Sequence, residues 1–283
     1  MSSKVPSPVA DIYKSLSISN AAWNAEIARP TGSGWIAGVH FRDATTGPFN
    51  ALLVEIGKQL GNADEKTVAA SFALRFGWAS AMAIVPYLRF QCVPDISLEN
   101  VSFKFHETTF FERTAVYEPR GAVVAGDPRG NHELMSTVET SDALMRALRD
   151  ALVAQSAPVV QALFDWCSFA HRGTWGILTS SWASQFTTYA ENYSDQRDVA
   201  PQLDALFAGD DIVAEMRPEM RVVSYLNEIH LYQRRASCCR YYLLPQGNLC
   251  ASCPLVSDEE RMERNIDWMK TQHERSLRPR GHS

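Results

Sequence analysis

The chain has 283 residues, 46% of them hydrophobic, enough to bury a substantial core and near the upper limit of what one core serves. Its net charge of −5 and pI near 5.8 exclude the basic face that phosphate contacts require, so no nucleic-acid partner is expected. No apolar stretch of signal-peptide length follows Met1, which predicts a cytoplasmic protein with reduced thiols.

In chain order, residues 1–33 are rich in Ser, Pro and Gly and read as a loosely structured lead-in with a short helix around Asp11 to Leu16. A short strand is predicted over Gly34 to Phe41, then a helix over Thr46 to Gly61 with Leu52, Leu53 and Ile56 inward. Val68 to Leu88 is the longest apolar run, but a central Arg75 costs roughly 2.5–3.5 kcal/mol on membrane-insertion scales, so a buried helix is the better reading. Val101, Phe103 and Phe105 alternate with Ser102, Lys104 and His106, the period of a half-buried strand. With strands over Gly121 to Ala125 and near residue 36, this predicts a single small antiparallel sheet.

Beyond Asp142 the pattern is helical. Ser141 is the expected cap of one helix, and Ser156 and Pro158 are expected to open the next, which Gly173 ends. Cys167 lies on an apolar stripe and Cys92 beside Pro94, and both read as inert packing thiols. Trp175, Leu178, Trp182, Phe186 and Tyr189 form an aromatic stripe at helical spacing. It reads as core, or else with Arg172 and Ser180 as a cleft for a bulky ligand. His171 and His230 stand in no recognisable ligand spacing. Glu219 to Arg234 is read as a helix, with Val223, Leu226, Ile229 and Tyr232 inward. Ser257 and Glu260 form a capping box for a terminal helix with an apolar edge of Met262, Ile266 and Met269, placed to clamp the preceding segment. The fold class expected is α+β and helix-dominated, with a small antiparallel sheet in the N-terminal half, a helical C-terminal half and a short cysteine-rich segment at the C-terminus. The divisions are residues 1–33 (lead-in), 34–233 (main domain) and 234–276 (cysteine-rich segment with terminal helix).

Four of the six cysteines fall within sixteen residues: Cys238 and Cys239, then ten residues, then Cys250-Ala251-Ser252-Cys253. Thiolates are soft donors that select zinc or iron–sulfur chemistry over hard cations. Structural zinc sites draw on two Cys-x2-Cys knuckles, and only Cys250 and Cys253 form one here. Adjacent residues in extended backbone point to opposite sides, which a two-iron core accepts more easily than one small ion. These arguments rank a [2Fe-2S] cluster first, zinc second and disulfides third.

The run Arg235-Ala236-Ser237-Cys238-Cys239-Arg240-Tyr241-Tyr242-Leu243-Leu244-Pro245, with Cys250-Ala251-Ser252-Cys253-Pro254, resembles the C-terminal signature of the FhuF-type ferric siderophore reductases. The resemblance implies that Cys238, Cys239, Cys250 and Cys253 bind a [2Fe-2S] cluster that delivers one electron to a ferric siderophore. Without a visible nucleotide or flavin motif, the implied donor is external, a ferredoxin or ferredoxin reductase. Acidic overall charge leans towards a hydroxamate substrate, against which stands the local positive charge of Arg234, Arg235 and Arg240. Peripheral association with an inner-membrane siderophore transporter is compatible with this reading. A zinc-stabilised siderophore-handling module, or an electron-transfer protein without a substrate pocket, are the alternatives.

Overall fold

The computed structural model describes residues 6–19, 25–189 and 196–277. The expected lead-in is instead partly core, although its residues 1–5 and 20–24 lie outside the described ones. Helix α1 (Pro8–Ser19) buries Val9, Ile12, Tyr13 and Leu16, and the Tyr13 hydroxyl donates to the Met82 carbonyl at 2.8 Å. Its apolar residues recur at helical spacing, a periodicity that its Ser and Pro content obscures.

The apolar run becomes α3 (Glu65–Gly77) and α4 (Ala81–Phe90), joined by a 3-10 turn at Trp78–Ser80. The stretch Glu65–Phe90 is long and apolar enough to cross a membrane, yet 83% of its apolar window is buried within the fold. Arg75 is accommodated there by donating to the Thr109 hydroxyl and lying over the Phe110 ring. Helix α2 (Gly47–Gln59) packs on α3 around Phe41, Phe49, Phe72 and Phe76, whose rings meet at centroid distances of 4.6–5.9 Å.

Among the described residues the single expected sheet is in fact three. Strands β1 (Ala25–Glu26), β2 (Trp35–Ala37), β4 (Val101–Phe105) and β5 (Phe111–Val116) form a sheet ordered β1-β5-β4-β2, antiparallel except for β1 beside β5. The strand at Gly121 is separate. It is β6 (Gly121–Val124), between β3 (Cys92–Pro94) and a parallel β7 (Met135–Val138).

Helix α5 (Ser141–Cys167) runs unbroken through Pro158, and its cap is Thr140, whose hydroxyl accepts from the Ala143 N–H at 3.1 Å. Proline removes one intrahelical bond, and burial of Leu152, Val159, Val160 and Leu163 on both sides of it offsets that loss. The helix ends at a left-handed Ser168 (φ +55°), not at Gly173, which lies inside α6 (His171–Tyr189). Helices α7 (Ala200–Leu206) and α8 (Ile212–Glu215) follow.

The largest departure is at residues 219–234. The expected helix is a β-hairpin, β8 (Glu219–Tyr225) and β9 (Glu228–Arg234), with Val223 opposite His230 and Val222 opposite Leu231. Val223, Leu226, Ile229 and Tyr232 have helical spacing, but β-branched and aromatic residues fill both arms. Leu226 is not inward: it sits exposed at the turn, in the left-handed region (φ +52°). The hairpin lies between α6 and the terminal helix α9 (Asp258–Leu277). The fold is thus α+β and helix-dominated, with small sheets.

Candidate metal centre

Helix α6 is the platform. Trp175, Leu178, Trp182 and Phe186 are buried, so the aromatic stripe is core, with Tyr189 half-buried at its end. Arg172 and Ser180 do not frame a cleft: Arg172 pairs with Glu215, and the Ser180 hydroxyl donates back to the Gly176 carbonyl at 2.6 Å. Ser180 has another task, accepting the Ala236 N–H at 3.2 Å and so fixing the chain as it leaves β9 for the cysteines. One turn earlier, a Cβ on Gly176 would stand 2.7 Å from both Ser237 Cβ and Met216 Cε. Only glycine lets the cluster segment lie this close to the helix.

All six cysteines are free of disulfides. Cys238 Sγ and Cys253 Sγ lie 3.8 Å apart, the separation of two thiolates on one tetrahedral ion with metal–sulfur bonds of about 2.3 Å. Cys239 and Cys250 form a second pair, each thiol shifting the ionisation of the other. Among the described residues no three ligand-type side chains converge on one ion. Cys238 beside Cys253, with Cys250 interacting with both Cys239 and Cys253, supplies the four soft donors a two-iron core requires, so the residues present fit a [2Fe-2S] cluster.

The electrostatics favour anionic sulfur unevenly. Cys250 is held below the usual thiol range, first by its interaction with Cys239, then by the charge of Arg235 and by Ser252, against the opposing effect of burial. Its partner Cys239 is held well above the usual thiol range by that same interaction and by burial. Burial is also the main reason that Cys253 is pushed up to about 11. The Arg240 N–H donates to Cys238 Sγ at 3.4 Å, and Ser252 Oγ lies 3.6 Å from Cys250 Sγ. Such contacts to sulfur tune a bound cluster.

The segment is fastened on two sides. Arg240, with φ +61°, reaches the N-terminus of α3, where Nε donates to the Thr67 hydroxyl at 3.0 Å and Nη2 pairs with the helix cap Asp64 at 3.3 Å. Half of the expected capping box forms: the Glu260 N–H donates to Ser257 Oγ at 3.2 Å, while the Glu260 carboxylate pairs with Arg264. The inward edge of α9 is more polar than expected, because Arg261, Asn265 and Met269 are buried while Met262 is exposed. Arg261 donates to the carbonyls of Cys253 (2.9 Å) and Val256 (2.6 Å), and Arg264 donates to that of Leu249. The pair brackets the Cys250–Cys253 turn, itself closed by a Cys253 N–H to Cys250 carbonyl bond of 3.0 Å. Sequence reasoning missed both arginines. Their signal was faint, two cations three residues apart on a helix following the last cysteine.

The three arginines flanking the motif are less of a positive patch than their spacing suggests. Arg240 pairs with Asp64, Arg234 lies 3.8 Å from Glu219, and Arg235 faces a cavity of about 490 Å³. Cys92 is fully buried, with its thiol pushed up to about 12 by burial, and half-buried Cys167 donates to the Leu163 carbonyl at 3.4 Å. His171 packs on Phe164, and His230 lies 3.4 Å from Glu228.

Residues 235–255 match the family model of the FhuF 2Fe-2S C-terminal domain. No curated protein matches the chain. The cluster segment is of the FhuF type, and its cofactor is a [2Fe-2S] cluster.

Proposed function

From this FhuF-type 2Fe-2S segment we propose that the chain is a ferric-siderophore reductase that frees iron in the cytoplasm by one-electron reduction. The observation that carries the reading is the approach of Cys238 and Cys253, with Cys239 and Cys250 electrostatically paired beside them, in a segment matching that domain. These four thiolates hold the cofactor, which when bound supplies a one-electron couple.

The chain's own residues make the centre usable. Arg261 and Arg264 fix the carbonyls that flank Cys250 and Cys253, and Arg240 holds the loop between the cysteine pairs against α3. Arg235 and Ser252 favour negative charge on Cys250. The substrate half-reaction is balanced by one electron: a ferric chelate becomes ferrous, and hard oxygen donors hold the softer ferrous ion far less tightly. That electron comes from an external one-electron donor such as a ferredoxin or ferredoxin reductase. The pairing of Arg234 and Arg240 with carboxylates leaves little cationic surface for a polyanionic catecholate chelate, which supports a hydroxamate substrate.

Stopped-flow mixing of the anaerobically reduced protein with ferric hydroxamates tests the reading. Saturable return of the oxidised visible spectrum, at one chelate reduced per electron, is the expected result. A colourless zinc protein, or a cluster that ferric chelates oxidise without saturation, contradicts it.

A further inference from the structure

We infer that the cavity enclosed by the C-terminal end of α6, strand β9, helix α9 and the Cys250–Cys253 turn is the seat of the ferric chelate, and that it suits a neutral or singly charged tris-hydroxamate. This rests on the reductase reading above. Position is the first argument. Ala251 and Ser252, the two residues between Cys250 and Cys253, form part of the wall, and neighbouring Arg235 is tied to them by a 2.9 Å bond from its N–H to the Ser252 carbonyl. An occupant therefore lies against backbone that is one residue from either cluster ligand.

Size and chemistry are the second argument. A volume of about 490 Å³ falls within the roughly 300–1,000 Å³ of small-molecule sites. One side is aromatic: Trp268 meets His230 and Tyr232 edge-on, at centroid distances of 6.1 and 6.0 Å. The other carries hydroxyls and amides, from Ser184, Thr188, Gln233 and Asn265. Among the described residues, Arg235 is the one guanidinium in the wall, and no carboxylate lines it. Hydroxamate oxygens accept hydrogen bonds, and the carbon chains between them pack on rings. A trianionic chelate buried here would find a single cation, leaving most of its charge uncompensated.

The acidic charge of the whole chain hinted at the substrate's charge, but not at this cavity, whose walls come from residues 184–268.

Gallium(III) tris-hydroxamate complexes, which mimic the ferric chelate without accepting an electron, separate binding from reduction. Calorimetric titration into the cluster-loaded oxidised protein is to be run on wild type, Trp268→Ala and Ser184→Trp, with the visible spectrum as the integrity control. Trp268 is 48% exposed, so its removal leaves the fold intact, whereas Ser184→Trp fills the cavity. The expected result is about ten-fold or greater weakening in Trp268→Ala and loss of binding in Ser184→Trp. Should Ser184→Trp lose its spectrum, Trp268→Ala alone decides. Wild-type affinity in a variant that keeps its spectrum overturns the cavity assignment while leaving the reductase reading standing. Absence of any gallium-chelate binding by wild type overturns the cavity assignment too, and saturable oxidation by ferric chelates then tells whether the reductase reading survives.

Discussion

The Arg261 guanidinium donates to the carbonyl of Cys253 at 2.9 Å, from a side chain only 3% exposed. A buried cation on the terminal helix is thereby joined to the last cluster ligand. Asp258 completes its charge balance within the same helix turn.

Arg261→Ala removes the bonds to Cys253 and Val256, leaving the Cys253 carbonyl with only the Val256 N–H at 3.2 Å. Bonds from a charged donor are worth about 1.5–3 kcal/mol each, so a total loss of about 3 kcal/mol or more is expected. The readout is the rate of cluster bleaching under an iron chelator, together with the thermal midpoint. Arg261→Lys, which keeps the charge but not the fork, is expected to fall between.

Gly176→Ala tests the close approach of α6 and the cluster segment. Alanine gains about 1 kcal/mol in helix propensity over glycine. Overpacking costs about 1–3 kcal/mol, and the added methyl meets the Ser237 backbone N at 3.1 Å as well as its side chain. The clash wins, so faster cluster loss and a lower midpoint are expected. Gly173→Ala, which meets only the Phe169 ring at 3.1 Å, is expected to be milder on both measures.

Asp64 caps α3 and also pairs with Arg240. Its carboxyl is held below the usual range, first by the Thr67 hydroxyl. A carboxylate with a depressed folded value contributes stability that is full above its unfolded pKa near 4 and is lost as pH falls through the folded value. Asp64→Ala is expected to cost about 1 kcal/mol at pH 7. Denaturant titration should show the difference from wild type shrinking at acid pH.

Cys92 and Cys167 serve packing, not redox chemistry. Cys92 is fully buried with its thiol near 12, so at pH 8 it stays protonated and enclosed. It is expected to resist alkylation in the folded protein and to react on denaturation, with Cys167 more accessible. Alanine at either position should cost about 1–2 kcal/mol and leave the visible spectrum unchanged.

The cofactor was legible in the sequence because the cysteines proposed to hold it are local: sixteen residues carry all four, and thiolate chemistry limits what they hold. Ser257 and Glu260 were legible for the same reason. The hairpin at 219–234 was not, because Val223, Leu226, Ile229 and Tyr232 imitate a helix period, and only the burial of Val223 and Leu231 in paired strands decides between the two. Pro158 misled because local propensity marks it as a helix start, whereas packing of α5 on both sides of it overrides that preference. The clamping role of the terminal helix was legible, but the cavity was hidden because it joins α6, β9 and α9, whose meeting depends on long-range packing.

The most direct test of the account is iron and acid-labile sulfide per chain after anaerobic purification, for wild type and for Cys→Ser variants at 238, 239, 250 and 253. Wild type should hold two irons and two sulfides, and each variant should lose most of both. One zinc and no sulfide in wild type, or full iron and sulfide in three of the four variants, would contradict it.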